Sequence, residues 1–120
     1  MFTLVKDIKN GQEGFNLQVA VIDSIEQKYM KVFERPAMKV KIGDSTGCID
    51  FFLWDDGSCH IAAGDSLILK NCMAKVKFGR LTVYLMRDVG VVTKLKNTEV
   101  VCVTSPDYSG KNRFRENQDI

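Results

Sequence analysis

The sequence predicts an all-β protein in which five strands close into a small Greek-key barrel, with a short helix between the third and fourth strands. Three observations predict it. The 120-residue chain has room for one domain with a modest core. Apolar and polar residues alternate over several short stretches, as in strands with one buried face. Turn-forming residues separate these stretches at roughly ten-residue intervals, which is typical of small barrels.

The first predicted strand is long. Residues 15–25 alternate and place Phe15, Leu17, Val19 and Val21 towards the core. At about 3.3 Å per residue this stretch would be roughly 35 Å long, and we expect it to bend and pair with two neighbours. Residues 26–36 are polar and basic and end in Pro36, so we expect a loop or the tip of a hairpin there.

The second and third strands are predicted at residues 37–42 and 48–54, on either side of a turn at residues 43–47. In the second strand Lys39 and Lys41 point away from the core. In the third strand Ile49, Phe51 and Leu53 form the core face, and Asp50, Phe52 and Trp54 lie on the other face. Two large aromatic residues on the face expected to be polar indicate a surface that binds a flat ligand.

The fourth and fifth strands follow a connection that is too short for more than a turn or two of helix. Residues 66–76 alternate with an irregularity near Asn71, Phe78-Gly79-Arg80 suits a hairpin connection, and residues 81–86 place Tyr84 outward. Residues 91–103 hold one further apolar stretch. We assign residues 1–104 to the domain and residues 105–120 to an extended or flexible tail with few apolar groups.

Positive charge is concentrated near the aromatic strand. Ten of the 17 Lys and Arg residues lie in residues 28–41 and 70–87, together with one of the 15 acids. In an OB-fold, a five-stranded barrel whose binding face surrounds strands 2 and 3, these segments flank the aromatic strand. Bases would stack on Trp54, Phe52, Phe78 and Tyr84. The predicted phosphate contacts are Lys39, Lys41, Lys75, Lys77, Arg80 and Arg87.

Several other functions find little support in the sequence. The four cysteines fit no zinc pattern and are expected to be reduced thiols. Asp50, Asp55 and Asp56 could be drawn as magnesium ligands, but carboxylates at a strand end are common turn residues. The one histidine, His60, has no evident nucleophile beside it. We expect a protein without catalytic activity, cofactor, metal or membrane span, and an intracellular location.

An ordered set of motifs resembles the SOSS B (sensor of single-stranded DNA) family of OB-fold proteins. The likeness covers about residues 4–109. It runs through Leu4-Val5-Lys6-Asp7-Ile8-Lys9, Gly43-Asp44-Ser45-Thr46-Gly47-Cys48-Ile49, Leu53-Trp54-Asp55-Asp56, Gly64-Asp65 and Gly79-Arg80-Leu81-Thr82-Val83-Tyr84.

The resemblance implies single-stranded DNA binding without strong sequence preference, in a nuclear complex of the DNA damage response and DNA repair. Family aromatic positions fall on Trp54, on Tyr84, on Lys77 or Phe78 at the hairpin tip and, as a thioether, on Met73. Phe52 stands where the family often has a small residue. The family joins a helical scaffold subunit and a small third subunit, and also acts at the Integrator complex. The scaffold contact falls on the segment that contains Glu99, Val100 and Tyr108.

Two alternatives remain open at the level of the sequence. The aromatic face of an OB-fold could hold a peptide in a protein-interaction adaptor, or it could bind single-stranded RNA. Oligonucleotide binding should weaken steeply with salt, whereas an apolar peptide groove should not. Stacking does not discriminate RNA from DNA, because recognition of the 2′-hydroxyl depends on geometry.

Overall fold

The structure is a computed structural model that describes residues 1–30, 35–54, 61–77 and 79–110, with the backbone alone for residues 24–30, 35–37 and 54. Within these ranges the chain forms a short 3-10 helix and six strands. The 3-10 helix spans Val5–Asp7, and the strands are β1 (Glu13–Met30), β2 (Arg35–Asp44), β3 (Gly47–Trp54), β4 (Ser66–Lys77), β5 (Arg80–Leu85) and β6 (Val91–Lys94).

Five of the strands close on themselves. The order β1-β2-β3-β5-β4 returns to β1 through the β1–β4 pairing, and every neighbouring pair is antiparallel except β3 with β5. This closed Greek-key circuit is the OB-fold that the sequence predicts. Strand β6 pairs with the first half of β4 and lies outside the circuit. It occupies the start of the apolar stretch at residues 91–103, for which the sequence predicted no particular element.

Strand β1 serves two neighbours, as its length predicts. It pairs with β4 up to Ala20 and with β2 from Ala20 to Met30. Its register against β2 shifts twice, between Val21 and Asp23 and between Ser24 and Glu26. Such bulges bend a strand and increase its twist, which lets one strand take part in both sides of a barrel. The pairing extends to Met30 opposite Arg35, which fits the hairpin alternative for residues 26–36; residues 31–34 lie outside the described residues.

The core follows the predicted alternation. The predicted inward residues of β1, β3, β4 and β5 include Leu17, Ile49, Phe51, Leu69 and Val83, and all of these are fully buried. The irregularity expected near Asn71 is confirmed, since Asn71 has a φ of 59° and the β1 register shifts opposite it. Asn71 tolerates this left-handed conformation better than a branched residue would.

The short helix predicted between the third and fourth strands falls mostly on residues outside the described ranges. Residues 61–65 form a turn closed by a 3.1 Å hydrogen bond from the Asp65 N–H to the Ala62 carbonyl, and residues 55–60 lie outside the described residues. In the described ranges the one helical element is the 3-10 turn ahead of β1, which the Asp44 carboxylate anchors by accepting the Val5 N–H at 2.9 Å. Among the described residues, no helix is long and apolar enough to cross a membrane.

Residues 105–110, which the sequence analysis assigns to the tail, lie against the start of β3. The Cys48 N–H donates to the Pro106 carbonyl at 3.0 Å, and the Tyr108 N–H donates to the Cys48 carbonyl at 2.9 Å. Gly47 permits this approach, because a Cβ there would collide with the Tyr108 ring and lie 2.9 Å from the Pro106 oxygen. The segment therefore continues the sheet beside β3 where the β3–β5 pairing has not yet begun.

Candidate nucleic-acid interface

Three of the predicted stacking residues lie side by side on the outer face of the barrel. Phe52 of β3 is opposite Tyr84 of β5, and Tyr84 is opposite Met73 of β4. Because residues in register on neighbouring strands point to the same side of a sheet, the three side chains form one continuous surface. We call Phe52, Tyr84 and Met73 the aromatic row.

The aromatic row is apolar but remains partly open to solvent. The ring centroids of Phe52 and Tyr84 are 5.6 Å apart and the ring planes are tilted by 43°. This is a favourable aromatic contact that fixes both rings. All three side chains of the row are half-buried, so part of each surface stays accessible. Burial raises the pKa of the Tyr84 phenol, which therefore stays neutral at physiological pH.

Cationic side chains flank the aromatic row. Lys39 is opposite Phe52 across the β2–β3 pairing, and the Lys77 ammonium lies 5.9 Å from the centroid of the Tyr84 ring. Lys75 is exposed on β4, opposite Thr82, and Arg87 is exposed just beyond β5. An ammonium near a ring face is attracted to the π electrons of the ring, and it can bind an anion at the same time. The exposed side chains of Lys75, Lys77 and Arg87 thus remain available as phosphate contacts.

The other three predicted phosphate contacts, Lys39, Lys41 and Arg80, are paired with carboxylates of the protein itself. Asp50 accepts hydrogen bonds from Lys41 at 2.5 Å and from Arg80 Nε at 2.6 Å, and Lys39 Nζ lies 3.3 Å from it. The Asp50 side chain is fully buried although it lies on the outer face of β3. We call Lys39, Lys41, Asp50, Arg80 and Asp107 the ion-pair cluster.

Charge pairing in the cluster decides the protonation of its members. Burial alone would raise the pKa of Asp50, but the hydrogen bonds from Arg80 and Lys41 outweigh it and hold that pKa below its ordinary value. Burial alone would lower the pKa of Lys41, but Asp107 and Asp50 together raise it. The hydrogen bond to Asp50 is the main cause of the raised pKa of Arg80. All three groups are therefore charged over the physiological range.

The segment at residues 107–109 completes this side of the barrel, and its role was missed in the sequence analysis. Asp107 accepts a 2.6 Å hydrogen bond from Lys41. The fully buried Ser109 hydroxyl accepts the Asp50 N–H at 2.7 Å and donates to the Leu81 carbonyl, so that it joins β3 to β5. Residues 107–109 have too few apolar groups to predict that they pack on the barrel. The sequence offered one hint, since Asp50 is an acid that lies between the two basic segments.

The side chains of two predicted stacking residues lie outside the described part of the structure. Phe78 lies outside the described residues, between Lys77 and Arg80, which pair with each other across the β4–β5 hairpin. For Trp54 the description covers the backbone alone, which ends β3 opposite Ala37. Both stay predictions.

The predicted partner-binding residues occupy different environments. Glu99 is exposed, and Val100 is half-buried with its N–H donated to the Ser66 hydroxyl at 3.0 Å. Tyr108 packs against the core at Gly47 and thus has a role within the domain. Near Glu99, Val101 is 72% exposed, which leaves a large apolar side chain on this surface.

The cysteines that the structure describes are free thiols. Cys48 and Cys72 are buried and Cys102 is half-buried, whereas Cys59 lies outside the described residues. Burial raises the pKa of the Cys72 thiol to about 12, and burial is also the main cause of the raised pKa of Cys48. Thiols in this state are poor nucleophiles. Among the described residues there is no group of three His, Cys, Asp or Glu side chains arranged to hold a metal.

Comparison with known proteins identifies the fold. No family model matches the sequence. A hypothetical protein from Arabidopsis thaliana is similar with a TM-score of 0.75 at 21% identity, over 92% of this chain and 83% of that one. An OB domain from Thermoplasma acidophilum gives 0.66 at 10% identity, over 87% and 94%. Pot1pC from Schizosaccharomyces pombe, bound to single-stranded DNA, gives 0.56 at 17% identity, over 82% and 89%. These similarities show that the chain has the OB-fold.

Proposed function

We propose that this protein binds single-stranded nucleic acid, with single-stranded DNA as its ligand, and that it does so without catalysis. The observation that carries the proposal is the aromatic row, a half-buried Phe52–Tyr84–Met73 surface flanked by exposed Lys75 and Lys77. Bases stack on such surfaces whatever their identity, and cations beside them meet the phosphates. Binding of this kind tolerates many sequences.

The choice of DNA draws on two further considerations. Pot1pC, which has the same fold, is described bound to single-stranded DNA, and the motifs of this sequence resemble those of the SOSS B family. The aromatic row itself offers stacking surfaces that every base can use, so single-stranded RNA is the alternative ligand. Competition between DNA and RNA oligonucleotides of equal length discriminates these two ligands.

A finer proposal concerns the assembly in which the protein acts. We propose that it is a subunit of a SOSS-like complex of the nuclear DNA damage response and that it meets a helical scaffold through the segment around Glu99 and Val100. The exposed Val101 and Val103 side chains of this segment favour an apolar contact. An adaptor role and DNA binding would then use separate surfaces of one barrel.

The proposed DNA binding is tested by fluorescence anisotropy of a labelled oligo(dT) at two salt concentrations. We expect wild-type binding that weakens at the higher salt, and weaker binding for Tyr84→Ala and Trp54→Ala. Val101→Ala is the control, because it shortens an exposed apolar side chain outside the aromatic row. This variant should bind as wild type does. Binding that does not depend on salt, or that Tyr84→Ala and Trp54→Ala leave intact, would contradict the proposed site.

A further inference from the structure

The Asp107 carboxylate lies between two of the cations that the sequence analysis assigns to phosphate. Its Oδ2 atom is 2.6 Å from Lys41 Nζ and 3.6 Å from Arg80 Nη2. Its Oδ1 atom accepts the Ser109 N–H at 3.0 Å. One anionic oxygen shared by an ammonium and a guanidinium is also the arrangement in which these two groups bind a phosphate oxygen.

Asp107 and Asp50 both pair with Lys41 and Arg80, but in different environments. Asp50 is fully buried, whereas the Asp107 side chain is 36% exposed. Moving the Asp50 carboxylate away from its cations would leave a fully buried charge without its partners. Asp107 is open to solvent, so its side chain is able to leave its cations by rotation while the backbone stays in place. The contact of Asp107 is therefore the exchangeable one.

The charge balance of the ion-pair cluster favours such an exchange. Lys39, Lys41 and Arg80 face Asp50 and Asp107, which leaves a net charge of one positive unit among these groups. Without the Asp107 charge the same cluster carries two positive units. Asp50 precedes Phe52 by two residues on β3, a distance of about 7 Å along a strand. The cluster thus borders the aromatic row.

We propose that the Asp107 carboxylate occupies a phosphate position of the interface and that a backbone phosphodiester of the single strand replaces it between Lys41 and Arg80. This inference rests on the proposed function and adds to it a competitor built into the protein. Asp107 then limits affinity, because each binding event must displace an anion that is already paired. The competition would matter most for short or weakly stacking strands, because they gain little binding free energy from other contacts with the protein.

The test compares Asp107→Asn with Asp65→Asn in oligo(dT) anisotropy at several salt concentrations. Asparagine retains an oxygen that accepts the Ser109 N–H and removes the competing charge. Asp65→Asn removes the same charge from the residue before β4, where Asp65 pairs with Lys94 at 3.3 Å. We expect Asp107→Asn to bind roughly three- to tenfold more tightly than wild type at low salt, with a gain that shrinks as salt rises. Asp65→Asn should stay within about twofold of wild type.

The outcomes separate this inference from the proposed function. If wild type and Asp107→Asn bind with equal affinity, or if the variant binds more weakly, Asp107 is a structural contact and the inference is wrong while DNA binding stands. If neither protein binds, the proposed function fails and the inference fails with it.

A second measurement needs no variant and so does not depend on how Asp107→Asn folds. In the wild-type protein, saturation with oligo(dT) should shift the NMR signals of the Lys41 ammonium and the Ser109 amide, because Asp107 contacts both groups. Unchanged signals for both groups in the saturated complex would overturn the inference.

Discussion

The aromatic row and the ion-pair cluster lie next to each other on one sheet face, yet they are built for different tasks. Phe52, Tyr84 and Met73 are apolar groups that the fold leaves half-exposed, whereas Asp50 is a charged group that the fold buries completely. The row offers surface to a ligand at some cost in solvation. The cluster satisfies its charges internally and joins β2, β3, β5 and residues 107–109. We infer that the row serves binding and that the buried Asp50 carboxylate of the cluster serves stability.

The largest expected effect is the loss of stability on removing the buried carboxylate. Asp50→Ala should lower the free energy of unfolding by about 3–5 kcal/mol, because it leaves the largely enclosed Lys41 and the partly exposed Arg80 with one carboxylate fewer. Urea denaturation measures this effect. Asp65→Ala removes a partly exposed ion pair with Lys94 and a hydrogen bond from the Ala62 N–H; it is the control and should cost about 1–2 kcal/mol. Similar losses for the two variants would refute the stabilising role of the cluster.

The lowered pKa of the Asp50 carboxylate predicts how the free energy of unfolding depends on pH. The pKa of Asp50 is lower in the folded protein than in the unfolded chain, so folding favours its charged form. Its contribution is present above the unfolded pKa of about 3.9 and is lost as pH falls through the folded pKa. Wild type should therefore lose stability in acid more steeply than Asp50→Asn does.

Shortening a member of the aromatic row should affect binding more than folding. Phe52→Ala should weaken oligo(dT) binding by about 1–3 kcal/mol, the range for one lost base stack. Its free energy of unfolding should fall less than that of Asp50→Ala, since Phe52 is half-exposed and Asp50 is not. Val91→Ala, on the exposed side of β6, supplies the matched control. If Phe52→Ala binds oligo(dT) with unchanged affinity, Phe52 is not part of the interface.

These two regions also differ in how far the sequence predicts them. Alternation along β3 is a local pattern, and it identified Phe52 as outward and Phe51 as core. The ion-pair cluster depends on contacts between residues far apart in the chain, such as Lys41 with Asp107 and Asp50 with Arg80. Charge alone indicated phosphate contacts at Lys41 and Arg80, because the acids that pair with them come from other segments.

The C-terminal segment and β6 show the same limit of local patterns. Residues 105–110 have few apolar groups, and their contact with β3 is made by backbone hydrogen bonds at Cys48 and by the Ser109 hydroxyl. Neither interaction changes the hydropathy pattern. Strand β6 spans only Val91–Lys94, and so short a stretch, followed by polar residues, did not show an alternation that would predict its end. The five-strand circuit was predictable because its alternation extends over longer stretches.

The smallest expected effect concerns the cations that border the aromatic row. Lys75→Gln should reduce the magnitude of the slope of log affinity against log salt by about 0.7, the value for one phosphate contact with a single strand. Lys70→Gln is the matched control, because Lys70 is exposed on the same strand but pairs with Val91 of β6 rather than with β5. Equal slopes for the two variants would place the phosphates elsewhere.

The central claim is that the aromatic row is the surface on which a single strand lies. Titrating ¹⁵N-labelled wild-type protein with oligo(dT) and following its amide NMR signals tests this claim most directly. We predict that the largest shifts occur at Phe52, Tyr84 and Met73 and that the amides of β6 (Val91–Lys94) change little. Largest shifts on β6 or around Val101, or no shifts at saturating oligonucleotide, would contradict it.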